Sequence, residues 1–251
     1  MGTTDATLLF GAGLLAGAMN AAAGGGSFVT LPALVAVGVP SVEANASSTA
    51  ALLPGSLASA VAYRDDFAPL GFLPFPILIM VSLIGGLAGA LLLLLTPARA
   101  FDTIVPWLLL AGSLAFAFGG RVGAALRRVV RIGPTTLLAC QFLLGVYGGY
   151  FGGAVGIMMM AAWGLLGASD IKAMNATKVL LVAATNAVAV LCFALAGRVW
   201  WPQAGIMLVA AVAGGYGGAS LARRLPADSL RMGITVFNFL ITAVFFLRAA
   251  R

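Results

Sequence analysis

The sequence predicts an all-α polytopic membrane protein made of two homologous, inverted repeats. Three observations carry this. Of 251 residues, 62% are hydrophobic and 8% charged, whereas a soluble domain carries about 25% charge. So few charges cannot cover a water-facing surface. The apolar runs are continuous rather than alternating, which gives spanning helices and excludes a β-barrel. Finally, landmarks in the first half recur in the second at a spacing of 128–130 residues.

Eight apolar segments fall at 7–39, 44–63, 70–95, 103–119, 134–168, 173–196, 202–222 and 229–247. The first follows Met1-Gly2-Thr3-Thr4-Asp5, which lacks the basic start of a signal peptide and is read as mature protein. It is too long for one crossing. A straight helix of more than 30 residues would reach about 45–50 Å, against a hydrocarbon core of about 30 Å. Gly24-Gly25-Gly26 interrupts it, and glycine weakens a helix by up to about 1 kcal/mol relative to alanine. The segment is therefore two half-helices around a break, either a re-entrant hairpin or two short crossings.

The second segment carries polar residues and stops at Arg64-Asp65-Asp66. The third contains Gly85 and Gly89 and stops at Thr96-Pro97. The fourth leads into a basic stretch from Arg121 to Arg131. The fifth is again too long, and it is broken at Gly148-Gly149 and Gly152-Gly153. The sixth follows Ser169-Asp170, and the seventh begins behind Trp200 and Trp201, which read as interfacial anchors. Gly214 and Gly218 in the seventh, like Gly85 and Gly89, form a small-xxx-small pattern suited to helix packing. Breaking both long segments raises the count to ten short helices.

The repeat is read from several landmarks at once. Gly85-Gly86 matches Gly214-Gly215, and Pro97-Ala98 matches Pro226-Ala227, both at 129. Asn45-Ala46-Ser47-Ser48 matches Asn175-Ala176-Thr177-Lys178 at 130. Gly24-Gly25 matches Gly152-Gly153, and Pro74 matches Pro202, at 128. The organisation is a first repeat over 1–119, a basic cytoplasmic linker over 120–133 and a second repeat over 134–251. Broken segments at corresponding places in two halves point to a transport site.

Charge orients the chain. The net charge of +7 reads as topology, through the excess of Lys and Arg on cytoplasmic loops, and not as nucleic-acid binding. With Lys178 set aside, the inverted arrangement puts nine cations inside: Arg64, Arg121, Arg127, Arg128, Arg131, Lys172, Arg223, Arg224 and Arg231. Four remain outside, against eight and five for parallel repeats. Both termini then lie outside.

The chemistry-bearing residues are few. All seven carboxylates sit near segment ends or in loops, and the chain has no histidine. Neither a Ser-His-Asp triad nor a zinc-protease motif can be assembled, so the expectation is no enzyme, no cofactor and no metal. Cys140 and Cys192 lie in apolar segments and read as small hydrophobes.

What remains is a polar stripe that occurs twice. Asn45, Ser48 and Ser56 recur at spacings of three and eight, and Asn175, Lys178 and Asn186 repeat that spacing. Each set shares a helix face; Thr177, Ser59 and Thr185 adjoin the stripes. Ser and Asn also serve helix packing in lipid, and that reading stands beside the functional one. Lys178 lies about 12 Å into its segment if the helix starts near Asp170. A cation there either snorkels to the interface or faces a cavity or partner; the functional reading is a counter-charge for an anion.

The breaks favour the same sign. Ser27 after Gly24-Gly25-Gly26 is a good N-cap, and a helix N-terminus carries about half a positive charge and binds anions. Gly152, Gly153 and Ala154 form the matching turn. Asn20, Gln141, Tyr147 and Tyr150 could line a cavity near the breaks, while Met158-Met159-Met160 reads as packing.

These residues resemble a known family. Ala16-Gly17, Gly24-Gly25-Gly26, Leu31-Pro32-Ala33-Leu34, Gly38-Val39-Pro40 and Ala44-Asn45-Ala46-Ser47-Ser48 are similar to the first repeat of the TauE/SafE family. Asp170-Ile171-Lys172, Asn175-Ala176-Thr177-Lys178, Thr185-Asn186 and Gly197-Arg198-Val199-Trp200-Trp201-Pro202 resemble its second. The resemblance covers essentially the whole chain. It implies a multi-pass transporter of the bacterial inner membrane that handles sulfite or an organosulfonate.

The expected function is thus alternating-access transport of a small anion at a midplane site between the repeats. The binding set is Asn20, Gly24, Gly25, Gly26, Ser27, Asn45, Ser48, Ser56, Gly152, Gly153, Asn175, Thr177, Lys178 and Asn186. The expected partners are the anion, the bilayer, a coupling ion (H⁺ or Na⁺) and, in one arrangement, a second copy of the chain. Alternatives are a transporter or channel for a cation or neutral metabolite, and an intramembrane enzyme.

Overall fold

The computed structural model describes residues 1–22, 25–67, 74–126, 133–165, 171–222 and 227–249. Among these residues it contains ten α-helices and no strand. They are α1 (Thr3–Ala22), α2 (Ser27–Ala36), α3 (Ser41–Ala62), α4 (Phe75–Leu95) and α5 (Ala98–Leu126) in the first half. The second half holds α6 (Pro134–Tyr150), α7 (Val155–Leu165), α8 (Ile171–Leu195), α9 (Trp201–Ala222) and α10 (Ala227–Ala249). A short 3₁₀ turn, Arg64–Asp66, follows α3.

Four stretches are long and apolar enough to cross a membrane: Phe75–Leu95, Ala98–Gly119, Ala173–Leu195 and Met232–Ala249. The shorter apolar helices are Ser27–Ala36 and Val155–Gly164, which at 1.5 Å per residue reach only about half of a 30 Å core. They follow the two glycine breaks, so each long apolar segment is indeed two helices. Each short helix also folds back. A Cβ on Gly26 would stand 2.8 Å from the Ala16 carbonyl oxygen, and one on Gly148 would stand 3.4 Å from the Val155 side chain. The helix α2 then runs antiparallel to α3, because Gly26 adjoins Leu52 while Thr30 adjoins Ser48.

Two close helix pairs link the halves. Gly13 of α1 lies against Met207 and Ala210 of α9, Gly17 against Ala211, and Gly214 against Leu14. Gly85 of α4 lies against Phe142 and Gly145 of α6, Gly89 against Val146 and Tyr150, and Gly149 against Gly86. Gly13 and Gly17 meet Met207 and Ala211 in that order, and Gly85 and Gly89 meet Phe142 and Val146, so in both pairs the partners run in the same sense. A Cβ on Gly13 would meet the Met207 oxygen at 2.7 Å, and one on Gly85 the Phe142 oxygen at 2.6 Å; the contacts at Gly17, Gly89, Gly149 and Gly214 are closer still. Packing through small residues gains van der Waals contact where lipid offers no hydrophobic drive. Gly85, Gly89 and Gly214 pack as their spacing predicts; Gly13, Gly17, Gly145 and Gly149 complete the two seams.

The described part of the basic stretch prolongs α5 to Leu126; Arg127, Arg128 and Arg131 lie outside the described residues, as do Arg223 and Arg224. The apolar core joins α2, α3, α5, α8 and α9 through Phe28, Leu34, Val39, Ala46, Leu109, Phe193 and Met207. A second cluster packs Met159 and Trp163 of α7 onto Leu137, Met174 and Leu181, in keeping with a packing role for the methionine run. Both cysteines are free and half-buried.

Candidate functional site

The two breaks meet inside the protein. Phe28, in the first turn of α2, is fully buried. Its ring lies 2.7 Å from a Cβ placed on Gly112 of α5 and 3.4 Å from one placed on Gly153. From α3, Asn45 Nδ2 donates to the Tyr150 carbonyl at the end of α6, at 2.9 Å. One residue of the first polar stripe therefore holds the second break in place.

Backbone conformation explains the glycines. Gly25 and Gly152 adopt φ of +95° and +79°, a region that side chains disfavour. Ala154 adopts φ +59° despite its methyl. Gly24 lies outside the described residues.

The N-cap reading at Ser27 is corrected. Ser27 is the first residue of α2, and Gly26 occupies the cap with no side-chain hydrogen bond. The Phe28 and Val29 amides donate to Gly25 and Gly26 at 3.0 Å. That tight first turn takes two of the donors which a helix start offers an anion.

The first stripe is largely spent on structure. Ser48 Oγ lies 2.5 Å from Thr30 Oγ1 of α2, a partner the sequence reading missed. Ser56 donates to the Leu52 carbonyl one turn back in α3. Asn20, in the last turn of α1, is half-buried. Three further leads are also engaged. Gln141 donates to Ser82 and accepts from Trp163, Tyr147 donates to the Leu108 carbonyl, and Tyr150 donates to Thr96.

The second stripe differs. The stem of Lys178 packs on α7, with Cδ 2.9 Å from a Cβ placed on Gly156. Its ammonium donates to Asn175 Oδ1 at 2.6 Å. Lys178 therefore packs against α7. Neither the Arg64–Asp65 pair nor the Arg198–Glu43 pair includes it. Asn186 is buried, and its Oδ1 lies 3.8 Å from a Cβ placed on Gly152. Thr177 is buried on the same helix. The structure thus brings Gly152, Gly156, Asn175, Lys178 and Asn186 to the α7–α8 side, and leaves Ser56 apart.

At the other end of α8, Arg198 pairs with Glu43 of α3 at 2.6 Å. A pocket of about 210 Å³ adjoins the pair and is lined by Val42, Thr96 and Pro97 among others. Nearby, the Trp200 amide donates to Ser47, and the Trp200 and Trp201 side chains are exposed, as anchors would be.

The chain has clear relatives. The family described as "Sulfite exporter TauE/SafE" matches residues 9–245. A "Probable membrane transporter protein" of Haemophilus influenzae is 30% identical over 94% of this chain and 92% of its own length. The "Probable membrane transporter protein YfcA" of Escherichia coli K12 is 28% identical over 94% of this chain and 87% of its own. No solved structure matches the chain. With ten helices among the described residues, four of them long and apolar enough to span, and a family match over nearly its whole length, this multi-pass membrane protein belongs to the TauE/SafE sulfite exporter family of membrane transporters.

Proposed function

We propose that the chain is a secondary transporter of a small anion, sulfite or an organosulfonate, with Lys178 as the anion's counter-charge. The observation that carries this is the packing of Lys178. Its stem lies on Gly156 in the first turn of α7, and among the described residues its ammonium bonds a neutral amide, Asn175, and no carboxylate. A cation inside a membrane protein is costly unless it meets an opposite charge. An anion beside Gly156 would meet both the ammonium and the positive end of α7. Of the expected binding set this reading keeps Gly153, Asn175, Thr177 and Lys178, and it adds Gly156.

The same reading takes the repeats as inverted, in the inner membrane, with both termini outside and the basic linker inside. The seams α1–α9 and α4–α6 support a two-fold relation between the halves, since each joins the first helix of one half to the fourth of the other. Alternating access then moves one group of helices against the other around the site. An interior-negative potential contributes about 2.3 kcal/mol per charge per 100 mV, so export of an anion runs without a coupling ion.

The test is sulfite or sulfonate flux in proteoliposomes. Lys178→Ala should insert and fold but lose transport; flux at the wild-type rate would remove Lys178 from the site. A thermal-shift screen against sulfite, sulfoacetate, taurine, thiosulfate and sulfate would select the substrate, since a ligand bound only by the folded state raises its apparent stability.

A further inference from the structure

Two buried oxygens beside the second break lack a partner. Thr185 Oγ1 and Asn186 Oδ1 hydrogen-bond nothing among the described residues, although their side chains are 1% and 8% exposed. Buried polar atoms are paired as a rule. A helical Ser or Thr ordinarily bonds the carbonyl four residues back, as Thr49, Ser82, Ser113 and Thr242 do here. Thr185 does not. Its methyl instead faces Gly86 and Gly148.

The neighbouring backbone adds a third oxygen. The amides of Phe151 and Gly152 both donate to the Tyr147 carbonyl, at 2.9 and 3.3 Å. The Gly148 carbonyl therefore loses its usual donor four residues on. It belongs to the last turn of α6, where helix carbonyls carry about half a negative charge. A Cβ on Gly152 would stand 3.5 Å from the Gly148 oxygen and 3.8 Å from Asn186 Oδ1. Oxygens from two helices thus flank one position that glycine leaves open.

The geometry points to a binding site for a small monovalent cation, sodium, formed by Asn186 Oδ1, Thr185 Oγ1 and the Gly148 carbonyl oxygen. Hard cations take oxygen ligands. All three oxygens are uncharged, which suits one positive charge better than two. Among the described residues no group of three His, Cys, Asp or Glu could hold a divalent ion. Carbonyl ends of half-helices hold Na⁺ in other transporter architectures. The site has no twin in the first half, because Ser56, at the position matching Asn186, donates to Leu52. The inference stands apart from the anion reading, since sodium binding is measured without an organosulfur anion.

The experiment uses the purified full chain in detergent, with choline chloride replaced by sodium chloride at fixed ionic strength. A saturable rise in unfolding temperature with sodium is expected, together with saturable binding of radioactive sodium at one ion per chain. Thr185→Val and Asn186→Leu should each weaken apparent sodium affinity at least tenfold. Thr185→Ser, which keeps the oxygen, should retain it. Lys178→Ala should still respond, so failure of the anion reading would remain separate. Coincident sodium and choline titrations, no saturable sodium binding by the wild type, or wild-type affinity in Thr185→Val and Asn186→Leu would overturn the proposal.

Discussion

Ser113 Oγ of α5 and Thr242 Oγ1 of α10 lie 3.1 Å apart, and the two residues are 129 positions apart in the chain. That is the spacing at which Gly85-Gly86 recurs as Gly214-Gly215. Each hydroxyl also lies within reach of the carbonyl one turn back, Leu109 or Asn238; with one hydrogen apiece, one hydroxyl donates to its carbonyl and accepts from the other. A residue touching its own counterpart is what a two-fold relation between halves produces on its axis. The pair supports a two-fold relation between the halves and gives it a residue-level test. Replacing both with valine and alanine in a double-mutant cycle should return a coupling of about 0.6 kcal/mol, the average for such bonds in a membrane protein. Unfolding in mixed micelles measures it; strict additivity would mean the hydroxyls do not interact.

The helix seams predict a contrast among glycines. Gly149→Val would drive a side chain into the Gly86 backbone, and such overpacking costs about 1–3 kcal/mol or more. Gly11 has nothing within 4 Å of its Cβ position, so Gly11→Ala should stabilise α1 by up to about 1 kcal/mol. Thermal unfolding of the two variants should move in opposite directions.

Asn45 tests how the first half holds the second break. Asn45→Leu leaves the buried Tyr150 carbonyl without its donor, which costs about 1–3 kcal/mol. The loss of stability should come with lost transport while the protein still reaches the membrane. An unchanged unfolding temperature would show that Asn45 does not fix Tyr150.

Glu43 and Arg198 join the halves at the face where α3 begins. Arg198 is half exposed there, and exposed pairs contribute about 0–1 kcal/mol. Glu43→Gln, Arg198→Gln and the double variant should therefore unfold within about 1 kcal/mol of the wild type. If the pair holds one face closed, all three should change transport rate equally. Additive effects on rate would show that the residues act separately.

Topology is open to direct labelling. Tags at the two termini should be accessible from outside intact cells, and a tag in the basic linker should be protected. Cytoplasmic termini would sink the inverted arrangement.

Composition alone determined a helical membrane protein, because so few charges leave no water-facing surface to build. Segment length and glycine clusters located both breaks, since a helix over 30 residues long outruns the bilayer and glycine is its weakest point. Spacing also picked out Lys178 and Asn186. Tertiary structure decided what those residues touch. Ser48 and Ser56 fit the same stripe as their counterparts, yet one meets Thr30 and the other its own helix. Partners lying far along the chain, or in a fold-back, leave no periodic trace. The cap at Gly26, the Gly13–Gly17 and Gly145–Gly149 seams and the unpaired oxygens at Thr185 and Asn186 depend on how helices far apart in the chain pack together. A one-dimensional pattern gives each helix its faces, and only packing assigns each face a neighbour.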